Sequence, residues 1–185
     1  MASCSKVNLA PSCWIMQQAK RWPNRSKILD FASGRGRHCR ALSSTFPGRF
    51  EILATDHNHA ALRELAAQFP GIRTLHADLE NTKIWPFADH DFDVVLVTNY
   101  LFRPRLPDLF RLIRSGGFLA YETFGDGNAA FGRPSNPNFL LNDGELPACL
   151  PDDFKILDYF HGKIDQPQPA IIQRLAAQRD SKSNA

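Results

Sequence analysis

The chain has 185 residues, 43% of them hydrophobic and 22% charged, with a formal net charge of +3. These values suit one packed domain and exclude a wholly disordered chain. The length also excludes a two-domain dehydrogenase, and so small a positive charge does not by itself indicate a nucleic-acid partner. Cys4, Cys13, Cys39 and Cys149 form no C-x-x-C pair and have no histidine cluster beside them at metal-ligand spacing. They read as reduced thiols of a cytoplasmic protein, with no metal site. No window approaches the roughly 18 apolar residues of a membrane span. The stretch after Lys6 is interrupted by Asn8, Pro11 and Ser12, unlike a signal peptide.

Residues 1–10 read as a disordered lead. Residues 11–22 form a predicted helix capped by Ser12, with Trp14, Ile15, Gln18, Ala19 and Trp22 at helical spacing. Pro23-Asn24 ends it. A short apolar run at 26–31 ends in Asp30-Phe31, and a helix is expected over 37–46. A second run at 50–55 ends at Asp56, a helix is expected over 59–69, and a third strand at 72–76 ends near Asp78. Residues 92–98 are almost continuously apolar and β-branched, as in a strand buried on both faces. A helix through Leu106, Leu109, Phe110 and Ile113 is expected to end at Gly116-Gly117, before a fifth strand at 118–123. Residues 124–150, rich in Gly, Asn and Pro, read as a long functional loop with a short helix near Glu145. Strands at 154–161 and 170–176 follow, and a polar tail at 178–185 is expected to fray. Alternating strands and helices imply βαβ units and a parallel sheet, with any ligand at the strand carboxyl ends near the topological switch point.

The segment Ile28-Leu29-Asp30-Phe31-Ala32-Ser33-Gly34-Arg35-Gly36-Arg37-His38 carries the most information. A strand runs into a tight glycine turn that opens a helix, whose first N–H groups are free for an anion or carboxylate. A dinucleotide fingerprint would not place Asp30 beside a pyrophosphate, and its third glycine would fall at Cys39. Asp56, 20 residues after Gly36, can accept hydrogen bonds from both hydroxyls of a ribose. Together these residues describe a nucleoside with no phosphate next to the loop. S-adenosylmethionine meets that description. Asp30 can face its cationic amino-acid end, the backbone at Ala32, Ser33, Gly34 and Gly36 with Arg37 its carboxylate, and Asp78-Leu79 its adenine. His57 stands next to Asp56 for a contact with the adenosine, and His38 and His76 also lie near strand ends.

At this point the sequence resembles the class I S-adenosylmethionine-dependent methyltransferases over residues 25–125. The residues that carry the resemblance are the Asp30–Gly36 loop, Asp56, Ala77-Asp78-Leu79, the Asp93–Tyr100 strand and Ser115-Gly116-Gly117. Pro11–Trp14, Gly34–His38, Thr98–Leu101, Tyr121–Phe124 and Phe131–Pro137 are similar to a small bacterial group related to tellurite-resistance and thiopurine methyltransferase-like enzymes. Ala32 departs from the pattern, standing where the wider family has its first glycine, and fits the turn if its φ stays negative. Asn99-Tyr100 lacks the Pro-Pro-Tyr of enzymes that methylate nucleic-acid amino groups.

The resemblance implies a single-domain α/β fold, a Rossmann-like doubly wound sheet of seven mostly parallel strands with an antiparallel last strand. It divides the chain into a lead and helix at 1–25, a methyltransferase domain at 26–177 holding a substrate lid at 124–150, and a tail at 178–185. It implies methyl transfer to a small-molecule acceptor, with Asn99, Tyr100 and Glu122 as catalytic candidates; Asn99 also counts among the cofactor contacts. Trp14, Tyr100, Phe131, Arg133 and Asn136 are the substrate candidates. A non-catalytic binding protein, or a methyltransferase of nucleic acid or protein, is the alternative, and monomer and homodimer both stay open.

Overall fold

The computed structural model describes residues 10–81, 83 and 85–181. The predicted lead over residues 1–9 and the tail beyond 181 lie outside the described residues. Seven strands form one sheet in the order β3-β2-β1-β4-β5-β7-β6. They are β1 (Ser26–Phe31), β2 (Phe50–Asp56), β3 (Arg73–His76), β4 (Phe92–Thr98), β5 (Ile113–Phe124), β6 (Phe154–Ile164) and β7 (Ala170–Arg179). β1 pairs in parallel with β2 and β4, β2 with β3, and β4 with β5, whereas β7 runs antiparallel to both β5 and β6. The fold is the expected Rossmann-like sheet with an antiparallel last strand.

The central strands are mostly apolar because each feeds two cores. Ile28, Val94 and Leu96 pack with α1 (Cys13–Ala19), α2 (Arg37–Thr45) and α3 (His59–Gln68) through Ile15, Cys39, Leu42, Leu62 and Leu65. Leu29, Phe31, Val95 and Val97 face the opposite side, against Leu109 and Phe110 of α4 (Leu106–Arg111) and Leu146 of α5 (Glu145–Cys149). Alternate residues of one strand thus enter opposite layers, as strand geometry requires. The sequence reverses direction between β1, followed by β2 and β3 on one side, and β4 on the other. Their carboxyl ends therefore open onto one crevice.

The structure changes three boundaries. β5 starts at Ile113, five residues before the expected strand, with a register shift against β4 between Phe92 and Val94. Gly116 and Gly117 lie in that irregularity and do not close a helix. A Cβ on Gly117 would stand 2.9 Å from the carbonyl oxygens of Asp93 and Arg114, so only glycine lets the strands approach here. β7 runs on through Gln178 and Arg179, which the sequence placed in the tail. Gln178 Nε2 donates to the Gly116 carbonyl, and Arg179 Nε donates to Asp153 Oδ2 at 2.7 Å, giving these polar residues partners on the sheet. β6 likewise extends to Ile164.

Among the described residues no helix is long and apolar enough to cross a membrane. Cys13, Cys39 and Cys149 are free thiols. Cys4 lies outside the described residues.

Candidate active site

The loop after β1 is held by backbone groups first. Ser33 N donates to the Thr55 carbonyl and Gly36 N to the Ser33 carbonyl, both at 2.9 Å. Gly34 N donates to Asp56 Oδ2 at 2.7 Å, so the acid at the end of β2 pins the loop at the end of β1. Asp56 Oδ1 accepts from Asn58 N at 2.8 Å. Each carboxylate oxygen can accept more than one hydrogen bond, so Asp56, nearly buried, retains lone pairs for a ligand hydroxyl. Gly36 caps α2 in the left-handed region at φ +73°, and a Cβ there would stand 2.5 Å from Leu65 Cδ2. The loop therefore packs onto α3 only with glycine at that position.

Ala32 does not keep a negative φ; it sits at +56°. Asn99, at the end of β4, sits at +54°, a conformation its short amide tolerates better than most side chains. The ends of the two strands at the switch point thus both turn through the left-handed region, and both residues line a cavity. Ala32→Gly is expected to raise stability by about 1 kcal/mol, since alanine loses that much in this conformation. Denaturant unfolding of the variant against wild type reads the gain, and equal midpoints would contradict it.

That cavity, about 530 Å³, is walled by Ala32, Asp56, His57, Asp78, Leu79, Glu80, Asn99 and Tyr100. It opens along the carboxyl ends of β1, β2, β3 and β4. Asp78 Oδ1 accepts from Glu80 N at 3.0 Å, and both residues line the cavity. A second cavity of about 270 Å³ adjoins it and shares Glu80, Asn99 and Tyr100. Its other walls are Leu101, Thr123, Phe124, Pro134 and Phe139. The Tyr100 ring packs against Phe31, with centroids 5.6 Å apart. Its hydroxyl is buried with no hydrogen-bond partner among the described residues. Burial, aided by the negative charges of Glu80, Asp78 and Asp56, pushes the Tyr100 phenol well above its usual range. At neutral pH it is a hydrogen-bond donor and not a base.

Several sequence candidates stand elsewhere. Asp30 does not line the cavity. It is buried under α2, accepting from Cys39 Sγ at 3.0 Å, with Oδ1 unpartnered among the described residues. Burial pushes its carboxyl up to about 6, against the Cys39 hydrogen bond and the Arg37 charge, which lower it. Arg37 Nη1 donates to the Ala10 carbonyl at 3.3 Å, and burial lowers its pKa. Ser33 Oγ is buried without a partner among the described residues.

Glu122 faces neither cavity. Its Oε2 accepts from Arg174 Nε at 2.6 Å and from Ser12 Oγ at 2.9 Å. Trp14, expected to close the pocket, packs in the α1–α2 core, and its indole N–H donates to Asp158 Oδ2 at 2.7 Å. Phe131 and Arg133 line a third hollow with Gln168 and Pro169, which shares Phe124 with the second cavity. Asn136 is spent on its own turn, accepting from Asn138 N. The lid residues that do reach the second cavity are Phe124, Pro134 and Phe139.

Of the histidines near strand ends, only His57 reaches the cofactor-sized cavity. His38 is buried, accepting the Ser12 N–H on Nε2 at 3.1 Å, so its Nδ1–H donates to Thr98 Oγ1 at 3.3 Å. Burial and the nearby Arg37 hold it down to about 3 and therefore neutral. Among the described residues no group of three His, Cys, Asp or Glu side chains could hold a metal ion.

The sequence profile of a methyltransferase domain matches residues 28–117, the span from β1 to the start of β5. Over that span, just under half of the chain, the sequence is similar to the class I S-adenosylmethionine-dependent methyltransferases. S-adenosylmethionine is the cofactor of this class, and the site fits it. The cavity carries a buried acid, Asp56, at the end of β2, beside a backbone turn that needs glycine and a buried Tyr100 hydroxyl with no partner among the described residues. The malonyl-[acyl-carrier protein] O-methyltransferase of Methylococcus capsulatus is 29% identical over 114 residues. That match covers 58% of this chain and 41% of that protein. An S-adenosylmethionine-dependent methyltransferase from Methanosarcina mazei superposes with a TM-score of 0.70 at 17% identity, covering 94% of this chain and all of its own. A TehB-like methyltransferase from Corynebacterium glutamicum gives 0.65 at 18% identity, over 89% and 86% of the two chains. These likenesses concern the methyltransferase fold.

Proposed function

We propose that the protein transfers a methyl group from S-adenosylmethionine to a small-molecule acceptor. The observation that carries this reading is the pair of adjoining cavities meeting at Asn99 and Tyr100. One is sized for the cofactor and the other for a small partner. When bound, the cofactor supplies an electrophilic methyl group on a sulfonium whose sulfur leaves without acid catalysis. The protein then has to position the two reactants and exclude water.

Asp56 would hold the ribose hydroxyls and Asp78 with Leu79 the adenine, while the loop from Ala32 to Gly36 presents its backbone to the amino-acid end. Asn99 and Tyr100 touch both cavities, and the buried Tyr100 hydroxyl stays protonated between them. The lid at 124–150 is fixed to the body by Arg103. That guanidinium pairs with Glu145 at 2.5 Å and donates to the carbonyls of Asn138 and Leu140 at 2.9 and 2.8 Å. We take the methyltransferase domain as 26–177 with this lid inside it. Its motifs resemble the tellurite-resistance and thiopurine methyltransferase-like group, a placement that carries a reaction and not a substrate. The free thiols support a cytoplasmic setting, and the small size of the second cavity favours a small acceptor over a nucleic acid.

Isothermal titration with S-adenosylhomocysteine, S-adenosylmethionine and NAD tests the reading. Both sulfur ligands are expected to bind, and Asp56→Ala to weaken them at least about tenfold by removing the ribose acceptor and the anchor of Gly34. Tight NAD binding with none of the sulfur ligands would overturn the proposal, and an unchanged affinity in the variant would overturn the role of Asp56.

A further inference from the structure

The second cavity carries a charge pattern that constrains the acceptor. Its one ionisable side chain other than the Tyr100 phenol is Glu80, and its remaining wall is largely aromatic, from Tyr100, Phe124 and Phe139. Among the described residues neither this cavity nor the adjoining one is lined by a lysine or arginine. The guanidiniums on the flanking turn are already engaged. Arg103 holds Glu145 and the lid carbonyls, and Arg105 pairs with Asp108 at 2.6 Å while lying over the Trp85 ring at 4.7 Å. A carboxylate or oxyanion placed here would meet Glu80 directly, with Asp78 and Asp56 along the same wall, whereas the lid cation Arg133 lines the hollow on the other side of Phe124. An ammonium would meet a carboxylate and the negative faces of aromatic rings.

We propose that this cavity is the acceptor subsite and that it selects a small cationic amine bearing an apolar group, the ammonium toward Glu80 and the apolar part among Tyr100, Phe124 and Phe139. The proposal rests on the methyl-transfer reading, since it assigns the second reactant of that same site. Glu80 is exposed at the rim. The proton an ammonium must lose before its nitrogen can attack therefore has a carboxylate and bulk water to go to. The subsite differs from what a malonyl carboxylate would need, so the acceptor of the 29%-identical relative does not carry over to this chain.

Three probes of similar shape separate the possibilities: benzyltrimethylammonium, benzyl alcohol and benzoate. Each is titrated calorimetrically into the protein alone and into the protein saturated with S-adenosylhomocysteine. The ammonium is expected to bind about tenfold more tightly than the alcohol, with benzoate weakest. Glu80→Gln, a substitution at an exposed position, is expected to remove most of the preference for the ammonium. Benzoate binding as well as the ammonium, no ammonium binding, or an unchanged preference in Glu80→Gln would overturn the proposal. The titration of the protein alone decides this independently of the cofactor. If S-adenosylhomocysteine binds while the probes show no charge preference, the acceptor class is wrong and the methyl-transfer reading stands. If S-adenosylhomocysteine does not bind, the methyl-transfer reading is what fails.

Discussion

Asp30→Asn is expected to stabilise the protein by about 2 kcal/mol at pH 8 and by no more than about 0.5 kcal/mol at pH 4. Asp30 titrates near 6 in the folded chain against an ordinary value of 3.8, because burial penalises its charge. Below 3.8 the carboxyl is protonated in both states and contributes nothing. Between 3.8 and about 6 the folded protein keeps a proton that the unfolded chain has released, so folding weakens as pH rises through this window. Above it the cost is complete, at most about 3 kcal/mol for a shift of about two units. Asparagine keeps an oxygen to accept the Cys39 thiol but leaves an unpartnered N–H, which removes part of the gain. His38 works in the opposite direction. Held to about 3, it loses stability as pH falls below the ordinary histidine range, but it does so equally in both proteins and cancels in the difference. Urea unfolding of both proteins at the two pH values reads the effect, and equal stability at pH 8 would refute it. The same variant tests why the charge is there. If Asp30 answers the cationic end of the cofactor, S-adenosylhomocysteine affinity falls about tenfold while stability rises. An unchanged affinity assigns Asp30 to the fold alone.

The strands were legible because the pattern they needed is written locally. Residues 92–98 are buried at every position and apolar at all but Asp93 and Thr98, as a strand feeding two cores requires. The ends of β5 and β7 were not, because their reasons lie far away in the chain. Gln178 and Arg179 are polar and look like tail until Gly116 and Asp153 are brought beside them. The glycine pair at 116–117 looks the same locally whether it ends a helix or relieves contact with β4.

The walls of the larger cavity were readable for a related reason. Asp56, Asn99 and Tyr100 stand at strand carboxyl ends, and parallel topology brings those ends together wherever the strands fall. The lid was harder. Residues 128–130 and 137–139 are short 3-10 turns, in which no periodicity says where a side chain points. Phe131 and Arg133 consequently stand over a different hollow, while Pro134 and Phe139 reach the shared one. Glu80 and Thr123 were missed although each adjoins a predicted residue. The signal available was position alone: Glu80 follows Asp78-Leu79, and Thr123 follows Glu122 at the end of a strand whose alternate residues face opposite layers.

Glu122→Ala is expected to lower stability by about 3 kcal/mol, because it breaks a buried ion pair and leaves the partner in place. Glu122 is 7% exposed, and the same oxygen receives both the Arg174 guanidinium and the Ser12 hydroxyl. Ser12 is also the N-cap of α1, its Oγ accepting from Ile15 N, and its own N–H goes to His38. One carboxylate thus ties β5, β7 and the start of α1 together, and a chain without it leaves the Arg174 guanidinium over the Trp14 and Phe160 rings without its carboxylate. A catalytic base would behave differently: it would face a cavity and have a free lone pair directed at a reactant, and its loss would spare the fold. A double-mutant cycle of Glu122→Ala and Arg174→Ala measures the pair directly, with a coupling of about 2 kcal/mol expected. S-adenosylhomocysteine affinity in Glu122→Ala should stay close to wild type at temperatures where the variant is folded, since Glu122 lines neither cavity. A stability loss below about 0.5 kcal/mol, the usual range for surface changes, would return Glu122 to the catalytic candidates.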